Sequence, residues 1–314
     1  MVNDAEVWPW RSTQSASSRT SSTLSPQTLA TASEWADSIY VLDNGSDDGT
    51  WEFVNEAARS NPTIMPYRQD RSPFCDSMRN RVFERYRDRA RQGDWWCKLD
   101  ADEAYVDDPR TFLARVPRRY NAVWVSSYNY LFTEHDHAAY LKDPGRFDGS
   151  RAWREVLHHY VPSGYSEARF VRHWWGLDRL PPENWGPIYP EPIRIRQFMY
   201  RSPEQITRRM TTRAESMERG EFAHERRERW RPDILEDQPF HWSERLATTS
   251  ECYEDLGDDT LAPQPISNLP ENIVGPNAGG LLWRKVKRRL GVLARSNPTP
   301  KPVRQDAGSP PSLN

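Results

Sequence analysis

Two stretches decide how this chain folds: Val41-Leu42-Asp43-Asn44-Gly45-Ser46-Asp47-Asp48-Gly49-Thr50 and Asp94-Trp95-Trp96-Cys97-Lys98-Leu99-Asp100-Ala101-Asp102-Glu103. Each is an apolar run that ends in carboxylates. Short apolar runs bounded by turn residues read as buried strands. In an open α/β sheet the carboxyl ends of the strands form the ligand crevice. Two acidic strand ends in one crevice suggest a divalent cation holding a diphosphate, and hard oxygen ligands suit Mg or Mn.

Working outward, Ile39-Tyr40-Val41-Leu42 opens the first strand and Thr50 is expected to cap a helix from Trp51 to Arg59. Residues 63–67 read as a second strand. Phe74, Met78, Val82, Tyr86 and Ala90 recur every four positions, which predicts an amphipathic helix over 74–92. Its other face carries Arg79, Arg81, Arg85, Arg87, Arg89 and Arg91 and reads mainly as a solvated face, with one or two arginines able to reach a phosphate. Gly93 ends it. Trp95 to Leu99 is the next strand, Pro109 opens a helix to Val116, and Ala122 to Tyr130 is a further strand. Strands alternating with helices predict an α/β fold: a mixed central sheet flanked by helices. From 132 to 192 the chain is aromatic, Pro-rich and irregular, as expected of substrate-facing loops. Residues 203–218 read as a helix that could continue to Arg231.

The 314 residues suffice for one large domain or two small ones. The formal net charge of −2 argues against a general nucleic-acid binder. Cys75, Cys97 and Cys252 are far apart and odd in number, which fits a reducing compartment and no zinc site. No run of about 18 apolar residues is present to span a membrane. The expected location is therefore cytoplasmic. Between Ser12 and Ser25, ten of fourteen residues are Ser or Thr without apolar periodicity, so 1–37 is expected to be a disordered or atypical leader. Residues 38–255 are expected to form the folded domain and 256–314 a tail. Within that tail, Leu282, Val286, Leu290 and Leu293 share a helical face with five basic residues around it. A basic amphipathic helix over 281–293 either lies on the inner face of an anionic membrane or packs on the domain as an ordinary terminal helix.

The first motif resembles the V-x-D-N-G-S-x-D-G-T signature of family 2 glycosyltransferases, whose fold is the GT-A type that uses nucleoside diphosphate sugars. The second resembles their Asp-x-Asp region in its Leu-Asp-Ala-Asp-Glu version, and the two stand in the family's order. Tyr200-Arg201-Ser202-Pro203-Glu204-Gln205-Ile206 resembles a Tyr-Arg-Ser segment of related bacterial members. The resemblance spans about residues 35–220. It implies that Asp43 and Asn44 contact the donor nucleotide, that Asp100 and Asp102 bind Mn or Mg, and that Asp100 also touches the donor. Glu103 would stand behind them, and Arg71 and Arg79 are candidate diphosphate or base contacts. The implied reaction is transfer of a sugar, with inversion, from a nucleoside diphosphate donor to a glycan, lipid-linked or small acceptor.

An inverting transfer needs a carboxylate to take the acceptor's proton. The catalytic candidates are Glu134 and Asp136 in Thr133-Glu134-His135-Asp136-His137, with Asp178 and Glu183 behind them. His135 and His137 read as surface residues rather than metal ligands. A calcium loop at 44–55 is disfavoured because Asn55 stands where a bidentate Glu is needed. Two departures from the family stand out. No apolar first strand precedes Ile39, and Gln197 takes the place of a His that could complete a metal shell. The missing strand motivates the alternative reading, a degenerate, non-catalytic relative that binds a glycan or a partner.

Overall fold

The computed structural model describes residues 12–18, 26–72, 77–164, 166–174, 177, 180, 187–217 and 241–266. Four strands, β1 (Ser12–Ser18), β2 (Ser38–Asp43), β3 (Ile64–Gln69) and β4 (Trp95–Leu99), run parallel in the spatial order β3-β2-β1-β4. The chain thus moves outward from β1 to β3 and then returns past β1 to lay down β4. Two connecting helices, α1 (Pro26–Trp35) and α2 (Thr50–Ser60), pack on one face of the sheet; α3 (Ser77–Tyr86) packs on the other.

The strand sequences account for this double covering. Ile39 and Val41 join Trp95, Cys97 and Leu99 in the core beneath α1 and α2, while Tyr40, Leu42 and Trp96 face Met78, Val82 and Phe83 of α3. Side chains alternate across a strand, so a strand apolar at every position is one buried on both faces.

The rest of the sheet is largely antiparallel. After the short β5 (Glu103–Tyr105) and α4 (Pro109–Ala114) comes β6 (Ala122–Tyr130), then α5 (Glu134–Lys142), β7 (His159–Pro162), β8 (Ala168–Arg172), β9 (Ile193–Gln197), α6 (Pro203–Met217) and β10 (Tyr253–Glu254). Strand β8 is inserted antiparallel between β4 and β6, β7 and β10 extend the far edge, and β9 joins β6 to β5. A second core of Tyr128, Tyr130, Phe132, Phe198, Tyr200 and Ile206 holds this half together.

Several expectations change. The Ser/Thr-rich stretch is not wholly a leader: residues 12–18 form the strand between β2 and β4, and 26–35 form α1, whose Leu29, Ala32 and Trp35 are buried. A ladder needs only backbone groups, so a strand without apolar periodicity can still occupy the middle of a sheet. The 132–192 region is not all loop, since it supplies α5, β7 and β8. Thr50 does not cap α2. Gly49 holds that position at φ 84°, and Asp48 accepts from the Thr50 hydroxyl at 2.6 Å. The helix expected over 74–92 is described from Ser77 to Tyr86 and tightens to a 3-10 turn at Arg87–Arg89. The domain does not end at 255: Leu261 is buried, and Tyr128 donates its hydroxyl to Ala262 O at 2.5 Å. The helix expected over 281–293 and the continuation of α6 to Arg231 lie outside the described residues.

Candidate active site

The strand order reverses between β1 and β4, which creates a topological switch, and a sheet of this kind opens its crevice at the carboxyl edge there. Both acidic tips lie on that edge. With β1 between them, the ends of β2 and β4 stand about 10 Å apart.

At the β4 tip the chain turns through 100–102 before starting β5 at Glu103. Asp100 Oδ1 accepts from Arg79 Nη2 at 2.5 Å, and Oδ2 accepts from Arg169 Nη1 at 3.2 Å. Arg79 reaches in from α3 and Arg169 from β8. Arg169 Nη2 also pairs with Glu103 Oε1, and with Glu167 Oε1 at 2.7 Å. Lys98 Nζ holds the other Glu167 oxygen at 2.6 Å. Asp100, Glu103 and Glu167 bring carboxylate oxygens within 4.8 Å of one another, close enough for one metal ion to be shared.

The electrostatics follow from this crowding. Burial would raise the Asp100 carboxyl, but the charges of Arg79, Arg169 and Lys98 outweigh it and hold the group well below the usual carboxylate range. Glu167 is lowered in the same way, burial being outweighed by Arg169 and Lys98. Glu103 goes the other way. Burial pushes it up, Arg169 opposes this, and the neighbouring Asp100, Asp102 and Glu167 carboxylates add to the rise.

Asp102 leaves this group. Alternation puts i and i+2 on one side only in an extended strand, and 100–102 is a turn. Its buried carboxylate instead accepts from Arg209 Nη1 of α6 at 3.0 Å, and its carbonyl accepts from Phe198 N at 2.7 Å. Arg201, of the Tyr-Arg-Ser segment, lies over the Trp153 ring at 4.8 Å, and burial lowers its pKa to about 10 despite the pull of Asp102. Gln197 pairs through its backbone with Glu103 and Asn129 in the sheet.

At the β2 tip, Asp43 and Asn44 are fully buried. The Asp43 carboxylate accepts from Gln69 Nε2 at 2.7 Å and from Ser46 N at 3.2 Å. Asn44 donates to the carbonyls of Asp70 and Ser72 at 2.5 and 2.6 Å, and its Oδ1 has no hydrogen-bond partner among the described residues. Gly45 lets the loop pass close under Arg71. Its φ is 87°, and a Cβ there would stand 2.8 Å from Arg71 Cγ.

The structure therefore brings Arg79 and Asp100 into contact, and sets Asp43, Asn44 and Arg71 at the end of β2, one strand away across β1. The two catalytic candidates sit instead at the start of α5. Asp136 is buried in a capping box, accepting from Thr133 N at 2.9 Å and from its hydroxyl at 2.6 Å. Glu134 accepts from Thr249 N at 3.0 Å and from its hydroxyl at 2.6 Å, contacts that lower its pKa. The His135 and His137 rings lie near His159 and Trp242 respectively. Asp178 and Glu183 lie outside the described residues.

Sequence reasoning missed Lys98, Glu167, Arg169 and Arg209. Lys98 carried a signal, as the one charged residue within an otherwise apolar strand. Glu167 and Arg169 alternate on one face of the β8 segment, but the aromatic, irregular surroundings hid that strand.

No family model matches this chain, and no curated protein matches it. Among solved structures, a mannosyltransferase from Pyrobaculum calidifontis in complex with GDP-Man and Mn2+ aligns with a TM-score of 0.30 at 16% identity. The alignment covers 43% of this chain and spans 39% of that neighbour's length.

Proposed function

We propose that this chain is a family 2-type glycosyltransferase on a GT-A fold, moving a sugar with inversion from a nucleoside diphosphate donor to a glycan, lipid-linked or small acceptor. One observation carries the reading. The Asp43–Asn44 tip and the Asp100–Glu103 turn share the carboxyl edge at the topological switch, and Arg79 reaches Asp100 from the opposing helix. The donor base lies toward the β2 tip, and the diphosphate lies toward Arg79 and Lys98, whose charges offset that of the departing group. Among the described residues, Asp100, Glu103 and Glu167 are the carboxylates placed to hold the expected Mn or Mg. As arranged, Arg169 already spans those oxygens, so an ion would have to displace a buried guanidinium.

For the acceptor's proton, Glu134 is the better of the two candidates, because Asp136 is committed to its helix cap. The degenerate, non-catalytic reading loses its motive, since β1 fills the place of the missing strand. Net charge gives no reason to expect nucleic acid as a partner. We place the enzyme in the cytoplasm, touching the inner membrane face through 281–293; among the described residues no helix is long and apolar enough to cross a membrane.

The test is a donor-hydrolysis screen of the full-length protein across common sugar nucleotides, repeated with Asp100→Asn. One donor should be turned over, and the substitution should lower that rate about 10²-fold or more. Equal rates in both proteins would remove Asp100 from the site.

A further inference from the structure

We propose that Arg169 is the resident cation of the acidic site, holding the place between Asp100, Glu103 and Glu167 that a divalent ion would otherwise take. Its guanidinium is almost wholly buried, with 1% of the side chain exposed, and it touches all three carboxylates. The remaining oxygens are also engaged. Arg79 takes Asp100 Oδ1, Lys98 takes Glu167 Oε2, and the Asp100 N–H faces Glu103 Oε2 at 3.4 Å. Each of the six carboxylate oxygens thus has a donor. Three carboxyl groups meet three cations, so a divalent ion would enter a site with no charge left to neutralise. It would also need its oxygens at about 2.0–2.6 Å, inside the shell that the guanidinium fills. Guanidinium keeps its proton at any ordinary pH, so Arg169 is a permanent occupant rather than a titratable one.

The consequence for chemistry rests on the glycosyltransferase reading. A donor diphosphate arriving at the β4 tip meets Arg79 and Lys98 at the rim of a site already balanced from within, and its binding does not require added metal. A fixed guanidinium differs from an ion in a useful way: it needs no recruitment and stays when the diphosphate leaves.

The charge claim is tested without turnover, by the electron paramagnetic resonance signal of free Mn2+ mixed with the full-length protein at equal concentration. The wild type should leave the signal unchanged. Arg169→Met should take up the ion roughly a hundredfold more tightly or better, since a unit charge a few ångströms away has been removed. Should Arg169→Met fail to fold, the double variant Glu103→Gln/Arg169→Met places an uncharged amide beside the gap and should still bind Mn2+ more tightly than wild type. Arg169→Lys, which keeps the charge, should stay silent. Tight Mn2+ uptake by the wild type, or a folded Arg169→Met protein that ignores the ion, overturns the assignment. Calorimetry with UDP and GDP, with and without EDTA, separates the two levels. Equal binding in both conditions supports metal independence, and binding abolished by EDTA overturns it. Silence of both nucleotides in both conditions overturns the donor reading while leaving the Mn2+ result to decide Arg169.

Discussion

At the scale of single residues, the loop that closes the β2 tip depends on where a side chain can stand. Gly45 and Gly49 both adopt positive φ, at 87° and 84°, but among the described residues only Gly45 has a neighbour in the way. Gly49→Ala should cost the backbone strain alone, about 1 kcal/mol. Gly45→Ala must also move Arg71, whose Cα would lie 3.1 Å from the new Cβ, and should cost roughly 1 kcal/mol more. Urea unfolding of the two variants checks the order, and equal losses would mean that Arg71 yields freely. The two aspartates of the Asp-x-Asp pair should part company in the same assay. Asp102→Asn leaves the buried Arg209 without its carboxylate partner, a change worth about 3–5 kcal/mol in buried pairs. Asp100 is a quarter exposed and its partner Arg169 keeps two other carboxylates, so Asp100→Asn should destabilise far less. A larger stability loss from Asp100→Asn would reverse this division of roles.

At the scale of elements, legibility followed periodicity. The strands at 39–42, 95–99 and 122–130 and the helix at 203–218 could be read because apolar residues either filled them or recurred at a fixed step. Strand β1 could not, since it is built from Ser, Thr, Gln and Ala and held by ladders to both neighbours. Its importance is testable at the backbone. Ser15→Pro removes an N–H and fixes φ in the middle of a strand flanked on both sides. The variant should lose its cooperative unfolding transition and its soluble yield; a native far-UV spectrum and an unchanged midpoint would return 12–18 to the status of a leader. Helix α5 was hidden for a different reason. In the sequence Asp136 stands out with Glu134 as a catalytic carboxylate, whereas a hydroxyl residue followed three positions later by an acidic one also spells a capping box. Thr133→Ala should therefore cost about 1 kcal/mol by the same unfolding measurement. The acidic tips were legible because strand-end carboxylates are conspicuous. Of their cations only Arg79 stood out, because Arg169 and Arg209 arrive from two further elements and only folding brings them to the carboxylates.

At the scale of the whole molecule, the response to acid depends on which groups bind protons differently in the folded and unfolded chain. Of the seven histidines, His173 is tied to the core: its Nδ1 accepts the indole N–H of Trp96 at 3.1 Å, which requires a neutral ring. Burial lowers its pKa below the ordinary value of about 6.5, with Asp88 opposing and Arg87 adding to the shift. As pH falls through 6.5 the unfolded chain takes up this proton first, so stability falls with pH in that window. Asp70, Asp100 and Asp255 are also lowered and act with the same sign, but only as pH drops through the carboxylate range, near 4 and below. Glu103, raised by burial, acts in the opposite sense: its contribution is full below about 4.5 and declines as pH rises. The interval from pH 7 to 5 therefore sets His173 against Glu103 with little interference from the other carboxylates. On moving from pH 7 to 5 the wild-type melting temperature should fall relative to that of His173→Gln, because Glu103 acts alike in both proteins and only the wild type carries His173. Thermal denaturation at matched ionic strength reads this directly, and parallel slopes in the two proteins would mean that the Trp96–His173 contact does not govern the acid response.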